Sequence, residues 1–205
     1  MTALITDRDL LETLKAQRAD TGADKFDEVW EGQYVMAALP NNQHQQIVTR
    51  LSAVFVNMFE WSGVGHVLAG ANVSDRVQWQ ENYRCPDLVV YLKGTRAQNR
   101  DAFWLGGPDF AVEVRSPGDP TRQKLPFYAK VATRELLIVD RYPWQLELYR
   151  LNDKNNQLER VGRSDLDAPQ TLESQVVPFT FRLTAGDERP TIEVVHVKDQ
   201  QTWSV

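Results

Sequence analysis

The chain has 205 residues, of which 42% are apolar and 25% are charged, so it is long enough for a sizeable core and too apolar for wholesale disorder. Its formal net charge of −5 excludes a uniformly basic protein that binds nucleic acid by charge alone. A single cysteine, Cys85, excludes an internal disulfide and any zinc site built from several cysteines.

The N-terminal residues show no basic segment followed by an apolar one, and every apolar run is far shorter than the roughly 20 residues of a membrane span. We therefore expect a soluble cytoplasmic protein without a signal peptide or membrane contact. No Pro/Gly-rich linker divides the chain, so we expect one domain over residues 1–205.

Hydrophobic periodicity predicts two helices in the N-terminal third of the chain. The first covers residues 7–18 behind an Asp7 cap, and the second covers residues 43–60 with one continuous apolar stripe. Between them, residues 28–39 are typical of a hairpin that turns at Glu31-Gly32.

From residue 65 onward the pattern changes to a period of two, which predicts strands. They are expected at 66–72, 75–80, 87–92, 109–115, 135–140 and 145–151, with edge strands near 176–183 and 191–197. A helix that ends near residue 133 separates the strand at 109–115 from the next one. A buried strand, a helix and a further strand require a crossover connection, which predicts an α/β fold with a mixed sheet and helices on its faces.

Two carboxylates accompany the predicted buried strands. Asp87 follows a proline where the first of these strands begins, and Glu113 lies within the second, between Val112 and Val114. A buried carboxylate is costly unless it is paired, protonated or bound to a metal, so Glu113 is either the partner of a nearby arginine or a metal ligand. Adjacent strands can bring Asp87 and Glu113 to one cation, and such oxygen ligands suit Mg²⁺ or Mn²⁺.

Asp109 is a rival for the metal, because it also follows a proline. It precedes Glu113 by four residues, about 13 Å along a strand, which is too far for two ligands of one ion. We therefore interpret Asp109 as a strand-entry residue. The three histidines lie far apart in the sequence, which argues against a histidine-based metal site.

Basic side chains follow the two carboxylates. Arg115, two residues after Glu113, is expected on the same face, where it could hold a phosphate. Lys124 and Tyr128 share a face of the following helix, although a solvated lysine is the ordinary explanation for such a residue. Residues 84–134 carry nine Lys or Arg against five Asp or Glu, which predicts positive charge around the carboxylates.

Several short segments, taken in order, resemble the Uma2 family of putative restriction endonucleases. They are a Glu-Gly turn at 31–32, LPNNQHQQI at 39–47, PDLVVY at 86–91, FAVEVRSPGD at 110–119, Lys124-x-x-x-Tyr128 and RELLIVDR at 134–141. The resemblance covers residues 26–151. That family is similar in fold to the PD-(D/E)xK nuclease superfamily. The resemblance therefore implies a restriction-endonuclease-like mixed β-sheet flanked by helices, to which this chain adds N- and C-terminal β elements.

The resemblance also implies roles for individual residues. Asp87 matches the aspartate of the PD motif, Glu113 matches the second acidic ligand, and the backbone carbonyl of Val114 would complete the metal shell. The superfamily lysine usually lies two residues after the second acid, where this chain has Arg115. The matching lysine here is Lys124, on the following helix.

The activity implied is hydrolysis of DNA phosphodiester bonds with Mg²⁺ or Mn²⁺ held by Asp87 and Glu113 and with Lys124 as a catalytic residue. Arg115, Tyr128 and His44 are accessory candidates, and His44 matches a histidine of the family pattern. Hydrolysis of a smaller phosphate ester would need the same site without a long groove.

Two further points remain open in the sequence. Related nucleases act as dimers to cut two strands, so a homodimer is implied, and Trp104, Tyr142, Trp144 and Trp203 fall where an interface could use them. The alternative to an enzyme is a catalytically inactive DNA-binding or protein-interaction module on the same scaffold. The negative net charge and the arginine at the usual lysine position favour that alternative.

Overall fold

A computed structural model describes residues 7–205, which form three α-helices and sixteen strands. The helices are α1 (Arg8–Thr21), α2 (Asn42–Phe55) and α3 (Leu125–Lys130). The first eight strands are β1 (Glu28–Trp30), β2 (Gln33–Val35), β3 (Gly65–Ala69), β4 (Val73–Ser74), β5 (Tyr83–Arg84), β6 (Leu88–Leu92), β7 (Gln98–Asn99) and β8 (Trp104–Leu105). The others are β9 (Phe110–Val114), β10 (Glu135–Arg141), β11 (Trp144–Asn152), β12 (Gln157–Asp165), β13 (Leu172–Glu173), β14 (Phe179–Thr184), β15 (Thr191–His196) and β16 (Thr202–Ser204).

The strands form three sheets. The central sheet has the order β12-β11-β10-β9-β6-β3, in which β9 and β10 run parallel and the other neighbours antiparallel. The parallel pair is joined by α3, as the sequence predicts for a crossover. A second sheet of short strands has the order β2-β1-β5-β4-β8-β7, and the C-terminal sheet has the order β13-β14-β15-β16. The prediction of a mixed sheet with helices and additional terminal β elements is confirmed.

Local sequence explains where the first two helices begin and end. The Asp7 side chain accepts hydrogen bonds from the first-turn amides of α1, and Gly22, with φ of 68°, ends that helix in the left-handed region. Asn41 caps α2 by accepting a hydrogen bond from the His44 N–H at 2.9 Å. A π-helical turn, Val56–Glu60, continues α2 to residue 60, so the predicted bounds of this helix are confirmed.

Apolar side chains fill both faces of the central sheet, which explains why β6 and β9 lack an alternating pattern. One face packs against α2 and the C-terminal sheet, and the other packs against α3. Three aromatic rings connect the layers: Phe55 of α2 lies 5.6 Å from Phe110 of β9, which lies 5.7 Å from Phe181 of β14 (ring centroids).

The structure corrects the sequence at several elements. The strand expected at 75–80 is absent, because Asp75 accepts hydrogen bonds from Arg76 and Asn82 and forms a turn instead. The C-terminal strands are not simple edges, since they build a sheet of their own with an apolar face in the core. Strand β12 was missed because it is an outer strand whose side chains are mostly exposed, and backbone pairing with β11 stabilises it.

The suggestion that Trp104 is available for an interface is not supported by the structure. The Trp104 ring stacks on Tyr91 with 3.7 Å between centroids and only 7% of the residue is exposed, so it belongs to the core. Trp144 and Trp203 are partly buried against the core, whereas Tyr142 is 61% exposed. Within residues 7–205, no helix is both long and apolar enough to cross a membrane.

Candidate active site

Glu113 is the centre of a buried polar cluster. It lies on the face of β9 that packs against α3, and its carboxylate accepts hydrogen bonds from Lys124 Nζ at 3.0 and 3.1 Å. Tyr128 OH donates to the same carboxylate at 2.5 Å. Lys124 ends a 3-10 turn, Thr121–Lys124, and Tyr128 lies in the helix that follows. The predicted four-residue spacing therefore does bring both side chains to one carboxylate.

A second acid shares the lysine. Glu28, at the start of β1, lies 2.9 Å from Lys124 Nζ and is buried like its neighbours. Its carboxylate also accepts hydrogen bonds from the Cys85 N–H at 2.9 Å and from Trp30 Nε1 at 2.6 Å. Lys124 is therefore enclosed between two carboxylates, one from the central sheet and one from the N-terminal hairpin.

The cluster carries more negative than positive charge. Burial, together with the nearby Asp87 and Glu28 carboxylates, raises the pKa of Glu113 to about 8, although Lys124 opposes the shift. Burial lowers the pKa of Lys124, but the attraction of Glu113 and Glu28 outweighs it and holds that pKa well above its ordinary value. One ammonium group thus does not offset the carboxylates around it.

Asp87 precedes β6 and lies beside the cluster. Its Oδ2 accepts a hydrogen bond from the Val114 N–H at 2.7 Å, which brings this carboxylate next to the peptide that follows Glu113. Its Oδ1 lies 2.8 Å from His44 Nε2 at the first turn of α2. The Nδ1 atom of His44 is buried and has no hydrogen-bond partner among the described residues. The structure thus brings together Asp87, Glu113, Val114, Lys124, Tyr128 and His44, as the sequence predicts.

Four of these residues, His44, Asp87, Glu113 and Lys124, line a cavity of about 530 Å³. Residues of α1 and of the segment 26–40 also line it. Cys85 also lines the cavity, but burial raises the pKa of its thiol, so it is neutral and a poor nucleophile.

Arg115 does not join this cavity. Its Nη1 donates to Asp140 Oδ1 at 2.9 Å, and its Nε donates to the Asp119 carbonyl at 3.1 Å. Arg122 binds the same Asp140 carboxylate. Arg115 thus lies on the expected side of the sheet, but its guanidinium is held by Asp140 of β10.

The predicted concentration of positive charge around the carboxylates is wrong. Lys93 follows the last residue of β6, whereas Asp87 precedes its first, so the two are separated by roughly 20 Å at about 3.3 Å per residue. Arg134 binds Asp109 at 3.1 Å, at the opposite end of β9 from Glu113. Asp109 also accepts a hydrogen bond from the Leu92 N–H at 2.8 Å, which confirms it as a strand-entry residue.

Arg141 connects the segments that carry the candidate site, although it was not predicted as a site residue. It is 1% exposed, and no carboxylate of the described residues lies within 4.0 Å of it. Its Nη1 donates to Asn41 Oδ1 at 2.7 Å, and its Nη2 donates to Ser116 Oγ at 3.2 Å. Because Asn41 caps the helix of His44 and Ser116 lines the cavity, Arg141 holds the two segments in register.

Replacing Arg141 with methionine is expected to lower any catalytic activity of this site by about tenfold or more, because small displacements of reacting groups carry large kinetic costs. The free energy of unfolding is expected to change only slightly, since a buried cation without an acidic partner contributes little net stability. Activity and thermal unfolding should be measured together on the variant. Arg182→Met, in the C-terminal sheet, is the control, and a loss of activity that merely follows the folded fraction would contradict the positioning role.

Glu28 is the main site residue that sequence reasoning missed. It lies two residues before Trp30, so the period of a strand places both on one face of the hairpin. That pattern could have suggested a buried acid, but nothing local connects it to Lys124, which is 96 residues away. Only the packing of β1 against β5 brings this hairpin to the central sheet.

The oxygen-rich wall fits a hard divalent cation. Among residues 7–205, no three His, Cys, Asp or Glu side chains are arranged to hold a metal by themselves. Mg²⁺ does not require such a group, because it commonly binds one or two carboxylates and keeps several waters. Asp87 and Glu113 both line the cavity. Burial, and after it the neighbouring Asp87 and Glu28 carboxylates, raise the pKa of Glu113, and a bound cation would offset both effects.

Comparisons with known proteins agree with this architecture. Among solved structures, the chain is similar to a crystal structure described as "a putative nuclease belonging to DUF820" from Anabaena variabilis, with a TM-score of 0.55. The two are 17% identical, and the match covers 72% of this chain and 80% of the other, so it shows a shared fold. No curated protein matches the chain. The sequence profile of the Uma2 family, described as "Putative restriction endonuclease", matches residues 11–186, and the chain therefore belongs to the Uma2 family.

Proposed function

We propose that this protein is a divalent-metal-dependent endonuclease that hydrolyses DNA phosphodiester bonds. The observation that carries the proposal is the buried Glu113 carboxylate, which faces a cavity beside Asp87 and shares its ammonium partner with Glu28. A cavity wall with this excess of negative charge suits a cation and the phosphate group that the cation would attract. Membership of a family described as restriction endonucleases supports the same reaction class.

Asp87, Glu113 and the Val114 carbonyl are the groups that would hold Mg²⁺ or Mn²⁺. The chemistry that such an ion supplies when bound is charge stabilisation at the phosphoryl group and greater acidity of the attacking water. His44 orients the Asp87 carboxylate through Oδ1, and the Val114 N–H does so through Oδ2. Two of the proposed ligands are thereby connected before any substrate binds.

Lys124 and Tyr128 both bind the Glu113 carboxylate. Lys124 contributes a fixed positive charge that can offset negative charge developing on the phosphate in the transition state. Tyr128 restricts the rotation of the Glu113 carboxylate through its hydrogen bond. Arg115 acts indirectly, because its hydrogen bond to the Asp119 carbonyl restrains the loop that borders the cavity.

One observation favours the non-catalytic alternative. Lys124 is closed between Glu28 and Glu113, and no other lysine or arginine of the described residues lines the cavity. A scaffold that only binds DNA or a protein partner would retain this ion cluster for its contribution to the structure. Metal dependence of cleavage separates the two functions.

The test is a calorimetric titration of Mn²⁺ and Mg²⁺ into the protein, followed by incubation of the same samples with plasmid DNA. We expect saturable metal binding and nicking or linearisation of the plasmid, both lost when a chelator is added and restored by excess metal. Binding without cleavage of the plasmid or of single-stranded DNA would leave the site in place and reject DNA as the substrate. Neither binding nor cleavage would reject the enzyme in favour of the binding module.

A further inference from the structure

Part of the cavity lining is apolar and aromatic. It includes Leu11 from α1 and, from the segment that follows, Phe26, Trp30, Tyr34 and Met36. A site for the phosphate backbone alone would present mainly basic or hydrogen-bonding groups. This cavity instead combines acidic side chains with apolar and aromatic side chains.

Trp30 is held in place directly beside the acidic cluster. Its indole Nε1 donates to Glu28 at 2.6 Å, and the Arg84 guanidinium lies 4.7 Å from its ring centroid. Arg84 is itself buried and donates to the Val29 carbonyl at 2.9 Å, so it cannot move freely away from the ring. The other oxygen of Glu28 contacts Lys124, which binds Glu113. An aromatic plane is thus connected to the proposed catalytic carboxylate through three contacts, by way of Glu28 and Lys124.

The charge of the lining restricts what can bind here. Four acidic residues line the cavity: Glu28, Asp87, Glu113 and Asp119. Lys124 is the one lysine or arginine among the described lining residues. Such a wall repels the dense phosphate charge of a duplex except where a divalent cation intervenes. The remaining favourable contact is stacking of a flat group on the aromatic side chains, and base stacking contributes about 1–3 kcal/mol per base.

We propose that this cavity receives a single unpaired nucleotide of a DNA strand, with its base against Trp30 and its phosphate at the carboxylates. The volume of about 530 Å³ lies in the range of small-molecule pockets and is far below what a duplex needs. A paired base must leave its stack at a cost of a few kcal/mol to enter such a cavity. The enzyme therefore prefers single-stranded DNA, or an unpaired nucleotide within a duplex. This inference rests on the proposed function and adds its substrate class.

The first experiment uses the wild-type protein and three fluorescein-labelled oligonucleotides of one sequence: a single strand, a perfect duplex, and a duplex with one unpaired nucleotide. Binding is followed by fluorescence anisotropy with Ca²⁺, under conditions where no cleavage occurs. We expect the single strand and the bulged duplex to bind at least roughly tenfold more tightly than the perfect duplex. Equal binding of all three would overturn the inference.

The second experiment tests Trp30 itself. Trp30→Ala is expected to weaken single-strand binding by roughly 10- to 100-fold, whereas Trp30→Phe, which keeps an aromatic plane, stays within several-fold of the wild type. Trp61→Ala is the matched control, because Trp61 is 77% exposed and does not line the cavity. Thermal unfolding of each variant separates lost stacking from lost structure. Unchanged binding by folded Trp30→Ala would overturn the assignment of this residue.

The two proposals fail in different ways. Because the binding measurement does not depend on cleavage, a Trp30-dependent preference for unpaired DNA without hydrolysis by any metal would reject the nuclease and support the pocket. Metal-dependent cleavage of duplex and single strand at equal rates would support the nuclease and reject the pocket.

Discussion

Asp87→Asn is expected to abolish metal binding in calorimetry and to reduce DNA cleavage by at least about 1,000-fold, the equivalent of about 4 kcal/mol in the barrier. The carboxylate is one of two proposed acidic ligands, and its replacement removes a negative charge from the cavity wall. Asparagine can still accept one hydrogen bond from His44 or from the Val114 N–H, so the local structure is expected to persist. The measurements are Mn²⁺ titration, plasmid cleavage and thermal unfolding on the same preparation.

Asp109→Asn is the matched control for this variant. Asp109 also follows a proline and also accepts a backbone hydrogen bond, but it is buried where Asp87 is partly exposed, and it lies at the other end of β9. Its replacement weakens the contact with Arg134 and is expected to lower stability while metal binding and cleavage persist. Full cleavage by folded Asp87→Asn, or equal losses in both variants, would reject Asp87 as a metal ligand.

Lys124→Met is expected to reduce cleavage by about 100-fold or more and to lower the free energy of unfolding by about 3 kcal/mol. The loss of stability follows from geometry: without the ammonium group, the buried Glu28 and Glu113 side chains lose the cation that they share. Removing one partner of a buried ion pair typically costs 3–5 kcal/mol. The loss of activity follows from the missing positive charge near the phosphate.

A double variant separates these two effects. Glu28→Gln combined with Lys124→Met removes one of the unpaired carboxylates, so we expect stability to recover in part while cleavage stays low. Lys130→Met, at the end of the helix that follows Lys124, is the control, since Lys130 is half-exposed and its partner Asp75 lies outside the cavity. Recovery of cleavage together with stability would show that Lys124 serves only to hold the structure.

Some expectations from the sequence stay predictions. They include the single domain over residues 1–205, the homodimer, the use of Mg²⁺ or Mn²⁺, DNA as the substrate, and the catalytic and metal-binding roles of the site residues. The homodimer depends on the resemblance alone now that Trp104 is known to lie in the core. The other aromatic residues named with it are partly buried or belong to one exposed turn.

The local parts of the molecule followed directly from the sequence. The caps at Asp7 and Asn41, the apolar stripe of α2, and the strand-helix-strand order of β9, α3 and β10 depend on interactions between residues near one another in the chain. The same holds for Lys124 and Tyr128, whose four-residue spacing places both beside Glu113. Short-range periodicity carries this information because helices and strands repeat over a few residues.

Tertiary packing decided the rest. Glu28 reaches Lys124 from 96 residues away, and Arg141 reaches Asn41 across 100 residues, so neither contact leaves a local pattern. Lys93 lies far from the proposed ligands, whereas Lys124 contacts one of them. Each lysine follows the C-terminal end of a strand, but the two strands, β6 and β9, run in opposite directions. Charge counted along a chain ignores strand direction, and the direction of β6 and β9 carries their loops to opposite ends of the sheet. The proximity of the candidate site residues to one another was therefore predictable from the sequence, whereas their partners Glu28 and Arg141 and the aromatic part of the cavity lining depended on the fold.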